Sequence, residues 1–310
     1  MVAILVLVAV AAPWLAPYDP DEQLDPPAGR YRPPGTSLFA LQLADGGWRL
    51  ADRVRRTPGG LDIERLGRVE ALPASQVRNL TPKGVADRRL FVLGSDRFGR
   101  DLLSRTLYGT RISLAVALVS VALALSLGVA LGSIAALGGR LIDAVVMRSV
   151  DALLSFPWLF LMLALSVLFK PSTWTTVLIL GFTAWMGISR LTRAEILSLR
   201  NREFVIAARA TGQHPLVILW RHLLPNAFTP VLIQTTLLIG VLILVESSLS
   251  FLGMGIQPPT ASWGNLISEG REVLVQAWWV AVFPGAAIAV TVIAFNLLAD
   301  GLRDTLDPRS

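Results

Sequence analysis

The chain has 310 residues, 53% of them hydrophobic and only 16% charged, and its mean hydropathy is +0.58. Soluble domains carry about a quarter charged residues, so this balance excludes an ordinary soluble domain and points to an integral membrane protein. The net charge of +6 is divided among segments between apolar runs and forms no basic stripe with interleaved aromatics, which excludes a nucleic-acid partner. There is no cysteine, hence no disulfide, thiolate nucleophile or cysteine-ligated metal. His214 and His222 are the only histidines, and neither has a partner at ligand spacing. No catalytic residue, metal or cofactor is expected on this chain.

Residues 1–16 form an apolar run. It is shorter than the roughly 20 residues that cross a bilayer, and it lacks the basic lead of a signal peptide. It reads as the outer part of a first span whose inner part would lie upstream. Residues 17–110 change character. Pro20, Pro26, Pro27, Pro33, Pro34 and Gly35 punctuate the start. Phe39, Leu41 and Leu43 alternate, as do Trp48 and Leu50 and, after a break, Val54, with Gly46 and Gly47 between the two runs. That pattern predicts a small hairpin-bearing module over 36–90, too small to bury a large core by itself. Over 93–111, Gly94 and Gly99 mark turns, Asp101 or Ser95 could cap a helix, and Leu102, Leu103, Leu107 and Tyr108 share a face. Arg100, Arg105 and Arg111 fall on or near the other side, so the stretch reads as an interfacial helix leading into a span.

Residues 111–300 hold the remaining apolar runs: 113–137, 144–169, 175–188, 228–245 and 278–298. With 1–16 they predict an all-α membrane protein of six spans. The second of these runs is broken by Arg148, Asp151 and Pro157; Arg148 and Asp151 are spaced for a helical ion pair. Segment 190–221 holds six Arg against two Glu, and the turn near 138–148 is also basic. Both belong on the cytoplasmic side. Parity then places both termini and the tail 301–310 inside, and 17–110 outside. The second outer segment, 250–277, predicts a short amphipathic surface helix over 266–275. Trp278 and Trp279 suit an outer aromatic belt.

The basic segment 190–226 has its own architecture. Glu203 opens a short helix carrying Ala207, Ala208 and Ala210; Gly212 suits a left-handed cap. Pro215 then falls at the start of a second helix, and Pro225 is expected to stop it after Leu224. A bent helix pair between spans reads as a docking element. Glu246, Ser247 and Ser248 follow the run 228–245. They are candidates for a pathway or gate, or for an interfacial cap near the outer surface.

Four blocks carry a resemblance: LGSDRFGRDLLSRTLYGTR, EFVIAARATG…RHLLPN, SLSFLGMGIQPPTASWG and FNLLADGLRDTLDP, in this order over 93–308. The sequence resembles inner-membrane permease subunits of ATP-binding-cassette importers, closest to the second permease of the dipeptide, oligopeptide and nickel class. The resemblance implies the type I importer permease fold and a bacterial inner-membrane location. Its implied partners are a sister permease, two cytoplasmic ATPase subunits that hold ATP and magnesium, an extracytoplasmic substrate-binding protein and the lipid membrane. It makes 202–226 the coupling loop, with Glu203, Ala207, Ala208, Gly212, His214, Pro215, His222, Leu224 and Pro225 on it. Two departures stand out. The family's usual Glu, six positions before the Gly, is Ile206 here, and segment 36–90 is longer than in most members.

There is no nucleotide-binding loop of the Gly-x-x-x-x-Gly-Lys type, since Lys83 and Lys170 are the only lysines and neither sits in that pattern. An autonomous secondary transporter would carry coupling carboxylates near midplane and inverted repeats with broken helices, and neither is evident. A membrane-embedded enzyme would need a nucleophile–base pair or metal cluster. Peptide, nickel-chelate and glutathione-type substrates are all compatible with the resemblance.

Overall fold

The computed structural model describes residues 1–81, 84–85 and 87–306, so Lys83 and the end of the tail lie outside the described residues. The helices in chain order are α1 (Val2–Leu15), α2 (Pro26–Gly29), α3 (Leu102–Leu137), α4 (Gly139–Leu154), α5 (Trp158–Leu168), α6 (Thr173–Leu199), α7 (Glu203–Ala210), α8 (Pro215–Ile218), α9 (Leu224–Phe251), α10 (Trp263–Arg271) and α11 (Trp279–Leu306). The strands are β1 (Thr36–Gln42), β2 (Trp48–Ala51), β3 (Arg53–Thr57), β4 (Gly60–Arg65), β5 (Arg68–Pro73), β6 (Leu80–Thr81), β7 (Gly84–Val85) and β8 (Asp87–Phe91). The chain separates into two compact units.

The first unit holds Ser113–Gln257 and the chain from Ile288 onward, with Met1–Ala3. Within it, α3 and α6 cross closely on glycine. A Cβ on Gly128 would stand 2.6 Å from the Ile188 side chain, and one on Gly132 would stand 2.6 Å from the Ser189 carbonyl. From the other helix, a Cβ on Gly181 would meet Leu123 at 2.6 Å. Small residues four apart let two backbones approach where lipid supplies no hydrophobic drive. Ser120 donates to the Val177 carbonyl at 3.2 Å across the same crossing. Thr176 and Thr183 return their hydroxyls to carbonyls of the preceding turn, so these buried side chains leave no hydroxyl unsatisfied.

Among the described residues, three helices (α3, the continuous stretch Pro215–Phe251, and α11) are long and apolar enough to cross a membrane. The count rises to four if α4 and α5, bent by 88°, form one broken span. Pro157 sits at that bend as the residue before α5, where its fixed φ and missing N–H suit a helix start. Arg190 and Arg193 do not lie in a loop, because α6 carries on to Leu199. Their guanidinium groups reach back to α4, Arg190 to Asp151 and Arg193 to both oxygens of Asp143. Asp151 thus pairs with a residue 39 positions away, and among the described residues not with Arg148. Two carboxylates in α4 prefer cations arriving from α6 to the short-range one, since packing sets which partner is within reach.

The second unit holds Ile4–Ile112 and Pro258–Ala287. β1 and β2 pair antiparallel with Gln42 opposite Trp48, and the turn between them closes with a Leu43 N–H bond to the Gly47 carbonyl at 2.8 Å. β8 pairs with the other edge of β1, from Thr36 opposite Phe91 to Ala40 opposite Asp87. β3, β4 and β5 form a second antiparallel sheet, and β6 and β7 a small ribbon. β1 is apolar on both faces. Leu38 and Ala40 pack with Ala28, Leu50 and Phe91, while Leu41 packs with Ala51, Leu61, Ile63, Leu72 and Val77. The two-residue alternation of a strand divides one seven-residue segment between two small cores.

Asp25 anchors this module. It accepts from the Leu50 N–H at 2.9 Å and from Arg65 at 2.9 and 2.7 Å. Burial pushes its carboxyl upward, but the Arg65 and Leu50 hydrogen bonds outweigh it, and the net direction is below the ordinary 3.8. The folded state therefore binds this proton more weakly than the unfolded chain. The bridge stabilises fully above the unfolded value and is lost as pH falls through the lower folded value. Asp25→Asn is expected to destabilise the module by about 2 kcal/mol at neutral pH. That deficit should shrink below about pH 4. Thermal melts of both proteins at stepped pH check this; a deficit that is unchanged or grows in acid would refute the assignment.

The stretch 93–111 differs from an interfacial helix with an exposed basic side. α3 starts at Leu102 and runs unbroken for 36 residues, with Asp101 as its cap. The Asp101 Oδ2 accepts from the Ser104 N–H at 2.7 Å and from its hydroxyl at 2.8 Å. Burial raises the Asp101 carboxyl against those bonds. Ser95 is not a cap: its hydroxyl donates to the Gly29 carbonyl and accepts from the Arg32 N–H. Arg100 and Arg105 are 2% and 0% exposed. Arg100 Nε donates to Asp96 at 2.5 Å, its Nη2 lies 3.2 Å from Glu269, and Arg105 Nη1 donates to Asp21 at 3.0 Å. Gly94, at φ +86°, has no room for a side chain, since a Cβ would stand 2.7 Å from the Trp279 ring and from the Arg32 carbonyl.

The segment 250–277 is corrected in register. α10 begins at Trp263, capped by Ser262, and ends at Arg271, so Val275 lies past it and is 98% exposed. Of the two belt tryptophans only Trp278 is exposed. Trp279 is buried and donates its Nε1–H to the Ser95 carbonyl at 3.2 Å.

Candidate functional site

The segment after α6 folds as two helical arms about one glycine. Gly212 has φ +77°, with open space where a Cβ would be. Its N–H bonds the Arg209 carbonyl at 2.9 Å, and the next N–H, on Gln213, bonds the Ala208 carbonyl at 3.3 Å. This is the paired-bond helix end that requires a left-handed residue. His214 caps α8, its Nδ1 accepting from the Leu216 N–H at 3.3 Å, and Pro215 follows in the first turn. His222 Nε2 meets Gln213 Oε1 at 3.2 Å. Both histidines brace the bend.

Pro225 does not end the second arm. The helix widens into a π-type stretch at Leu219–Leu223, and α9 then continues from Leu224 to Phe251. Pro225 falls in the first turn of the restarted register, where a proline has no hydrogen bond to lose. The arm is therefore helically continuous with a membrane-length helix. Leu223 is buried, Leu224 is half-buried and Pro225 is exposed.

The alanine pair divides. Val205 and Ala208 face inward and pack with Ala136, Ile196, Ile218, Leu223 and Ala227. Ala207 is exposed, with Glu203, Phe204, Ile206 and Ala210. Ile206 is 54% exposed and Trp220 70%. A short helix that turns Val205 and Ala208 into its own core while leaving Phe204 and Ile206 bare is suited to a partner's apolar groove. Composition alone did not mark Phe204 and Ile206, because an apolar residue in sequence reads as core. The two inward positions three apart were the available signal.

Glu246 is fully buried within the helical unit. Its Oε1 accepts from Ser250 at 2.8 Å and its Oε2 from Ser113 at 3.5 Å. The Ser250 hydroxyl also accepts from the Ile256 N–H at 3.2 Å. Ser247 is buried and Ser248 is exposed. Ser250 was within reach of sequence reasoning, being four positions on. Ser113, 133 positions away, was not. Among the described residues no three His, Cys, Asp or Glu side chains gather as a metal site.

Membrane-length helices, with a glycine-bent basic arm fused to one of them, define a polytopic helical membrane protein. A family model described as the binding-protein-dependent transport system inner membrane component matches residues 128–310. The chain belongs to that family. It is an inner-membrane permease subunit of an ABC importer, and ATP hydrolysis lies in separate subunits. A second model, the N-terminal TM domain of oligopeptide transport permease C, matches residues 1–34. A Brucella ovis protein named as a peptide permease is 44% identical over 219 residues, covering 70% of this chain and 72% of that one. The di/tripeptide transport system permease protein DppC of Pseudomonas aeruginosa is 34% identical over 306 residues, covering 99% and 85%. Among solved structures, an inward-facing MetNI methionine ABC transporter has a TM-score of 0.52 at 18% identity, covering 65% of this chain and 96% of that one. An amino acid ABC transporter with histidines has a TM-score of 0.53 at 15% identity, covering 66% and 95%. These two likenesses concern the fold.

Proposed function

We propose that this chain forms, with a sister permease, the translocation path of an ATP-driven importer of short peptides. The names of its relatives support the peptide cargo. Six spans place both termini in the cytoplasm and 17–110, with its strand-bearing module, outside, facing a substrate-binding protein. Two ATPase subunits serve the permease pair, and one docks on α7 and the Gly212 bend. Glu246, Ser247 and Ser248 lie on the pathway or its gate, with Glu246 held until Ser113 or Ser250 moves.

The observation that carries the coupling reading is the outward apolar pair Phe204 and Ile206 on a helix whose other side is locked by Val205 and Ala208. With Ile206 in place of the family's usual glutamate, docking rests on apolar contact more than on an ion pair. Co-expression with the ATPase subunits is expected to give a stable co-purifying complex. Phe204→Asp with Ile206→Asp should reduce retained ATPase by about tenfold or more, since central interface anchors carry most of the binding energy. Undiminished retention would sink the docking assignment.

A further inference from the structure

Two adjoining cavities in the helical unit are lined in part by the coupling segment, but not by Phe204 or Ile206. The first is an apolar groove of about 750 Å³ between the second half of α3 and the chain from Pro215 to Phe228. Val129, Ile134, Leu216, Trp220 and Phe228 wall it. The second, of about 470 Å³, carries Arg200, Arg209 and Gln213. Leu137 and Pro215 line both, so the apolar groove opens beside the basic pocket. The ion pairs of this unit use Arg190 and Arg193, and among the described residues none uses Arg200 or Arg209.

We propose that these cavities together hold one anionic glycerophospholipid of the surrounding membrane. An acyl chain fills the groove and the phosphate faces Arg200 and Arg209. The chemistry of the walls requires an amphiphile, apolar along one part and anionic at the end. A helix of a second protein would satisfy the groove and leave two guanidinium groups unmatched. A free phosphate would match the guanidinium groups and leave the groove empty. The position also fits. The α3 apolar run ends at Leu137, followed by Gly138, Gly139 and Arg140, so the junction of the cavities falls where hydrocarbon gives way to water. Trp220, largely exposed at the groove, is the residue type that settles at this level. Basic pockets between membrane helices recognise lipid headgroups in this way. The same lipid would wedge α3 against the arm bearing α8, so its presence would stiffen the coupling element. The inference requires only that the helical unit lies in a membrane.

Native mass spectrometry of the assembled, detergent-purified importer tests it, with phosphatidylglycerol and phosphatidylcholine as probes. The wild type is expected to retain phosphatidylglycerol in preference to phosphatidylcholine. Arg200→Gln with Arg209→Gln should reduce that retention by about tenfold or more, for two surface-level charges removed. Arg200→Lys with Arg209→Lys should keep most of it, which separates a lost charge from a misfolded pocket. Three results would each overturn the proposal: equal retention of both lipids by the wild type, unchanged retention in the glutamine variant, or efficient disulfide trapping of Val129→Cys to a cysteine on the sister permease. ATPase retention, read from the same spectra, distinguishes failure here from failure of the coupling assignment.

Discussion

Gly212→Pro is expected to abolish uptake while leaving membrane insertion at the wild-type level. Gly212 stands at φ +77° and donates its N–H to Arg209. Proline fixes φ near −65° and has no N–H, at a cost on the order of 3 kcal/mol. No neighbour lies within 4 Å of a Cβ at this position, so a substitution meets backbone strain and no clash. That permits a graded series. Gly212→Asn should be mild, because asparagine tolerates the left-handed region, and Gly212→Ala intermediate, at about 1–2 kcal/mol. Transport in proteoliposomes and quantification of membrane-inserted protein give the two readouts. Wild-type uptake by the proline variant would mean that the bend does not transmit the ATPase cycle. The effect is expected to be large because the second arm is continuous with α9 through Leu219–Leu223. A loose arm would transmit nothing to that helix.

Arg100→Met is expected to be the most damaging single change in the second unit, at about 3–5 kcal/mol. It would leave Asp96 and Glu269, both buried, without the guanidinium that joins them. Arg105 also touches both carboxylates, at 3.4 and 3.8 Å, but is already committed to Asp21 at 3.0 Å. Arg100→Lys should rescue little. One ammonium on a flexible stem cannot match a planar fork that meets Asp96 through Nε and Glu269 through Nη2. The thermal midpoint in detergent should fall by roughly 10 °C for the Met variant. A midpoint within a degree or two of wild type would show that solvent, not Arg100, neutralises the two carboxylates.

Every apolar run read from sequence lies on a helix, because a backbone surrounded by lipid can satisfy its own N–H and C=O groups within one helix. The bend at Gly212 and the Pro215 start were equally legible, since glycine and proline act through their own backbone geometry. Pro225 does not stop the helix, for a related reason. Proline forbids one hydrogen bond, and a register shift at Leu219–Leu223 removes the need for that bond. Arg100 and Arg105 are buried where an exposed basic side is expected, because helical periodicity separates two faces but does not say which neighbour covers the second. Glu269 and Asp21 cover it, from 169 and 84 positions away.

The sequence by itself determined the membrane character, the positions of the apolar helices, the glycine hinge and the absence of a nucleotide-binding loop. Each depends on composition or on local backbone preference, so each is written within a few residues of where it acts. Tertiary structure alone decided that Ser113 meets Glu246, that Asp151 chooses Arg190 over Arg148, and that β8 completes the sheet at the edge of β1. It also decided that Arg200 and Arg209 open beside an apolar groove. Buried charge and close packing take their partners from whatever the folded chain brings within a few ångströms, and sequence distance carries no information about that choice.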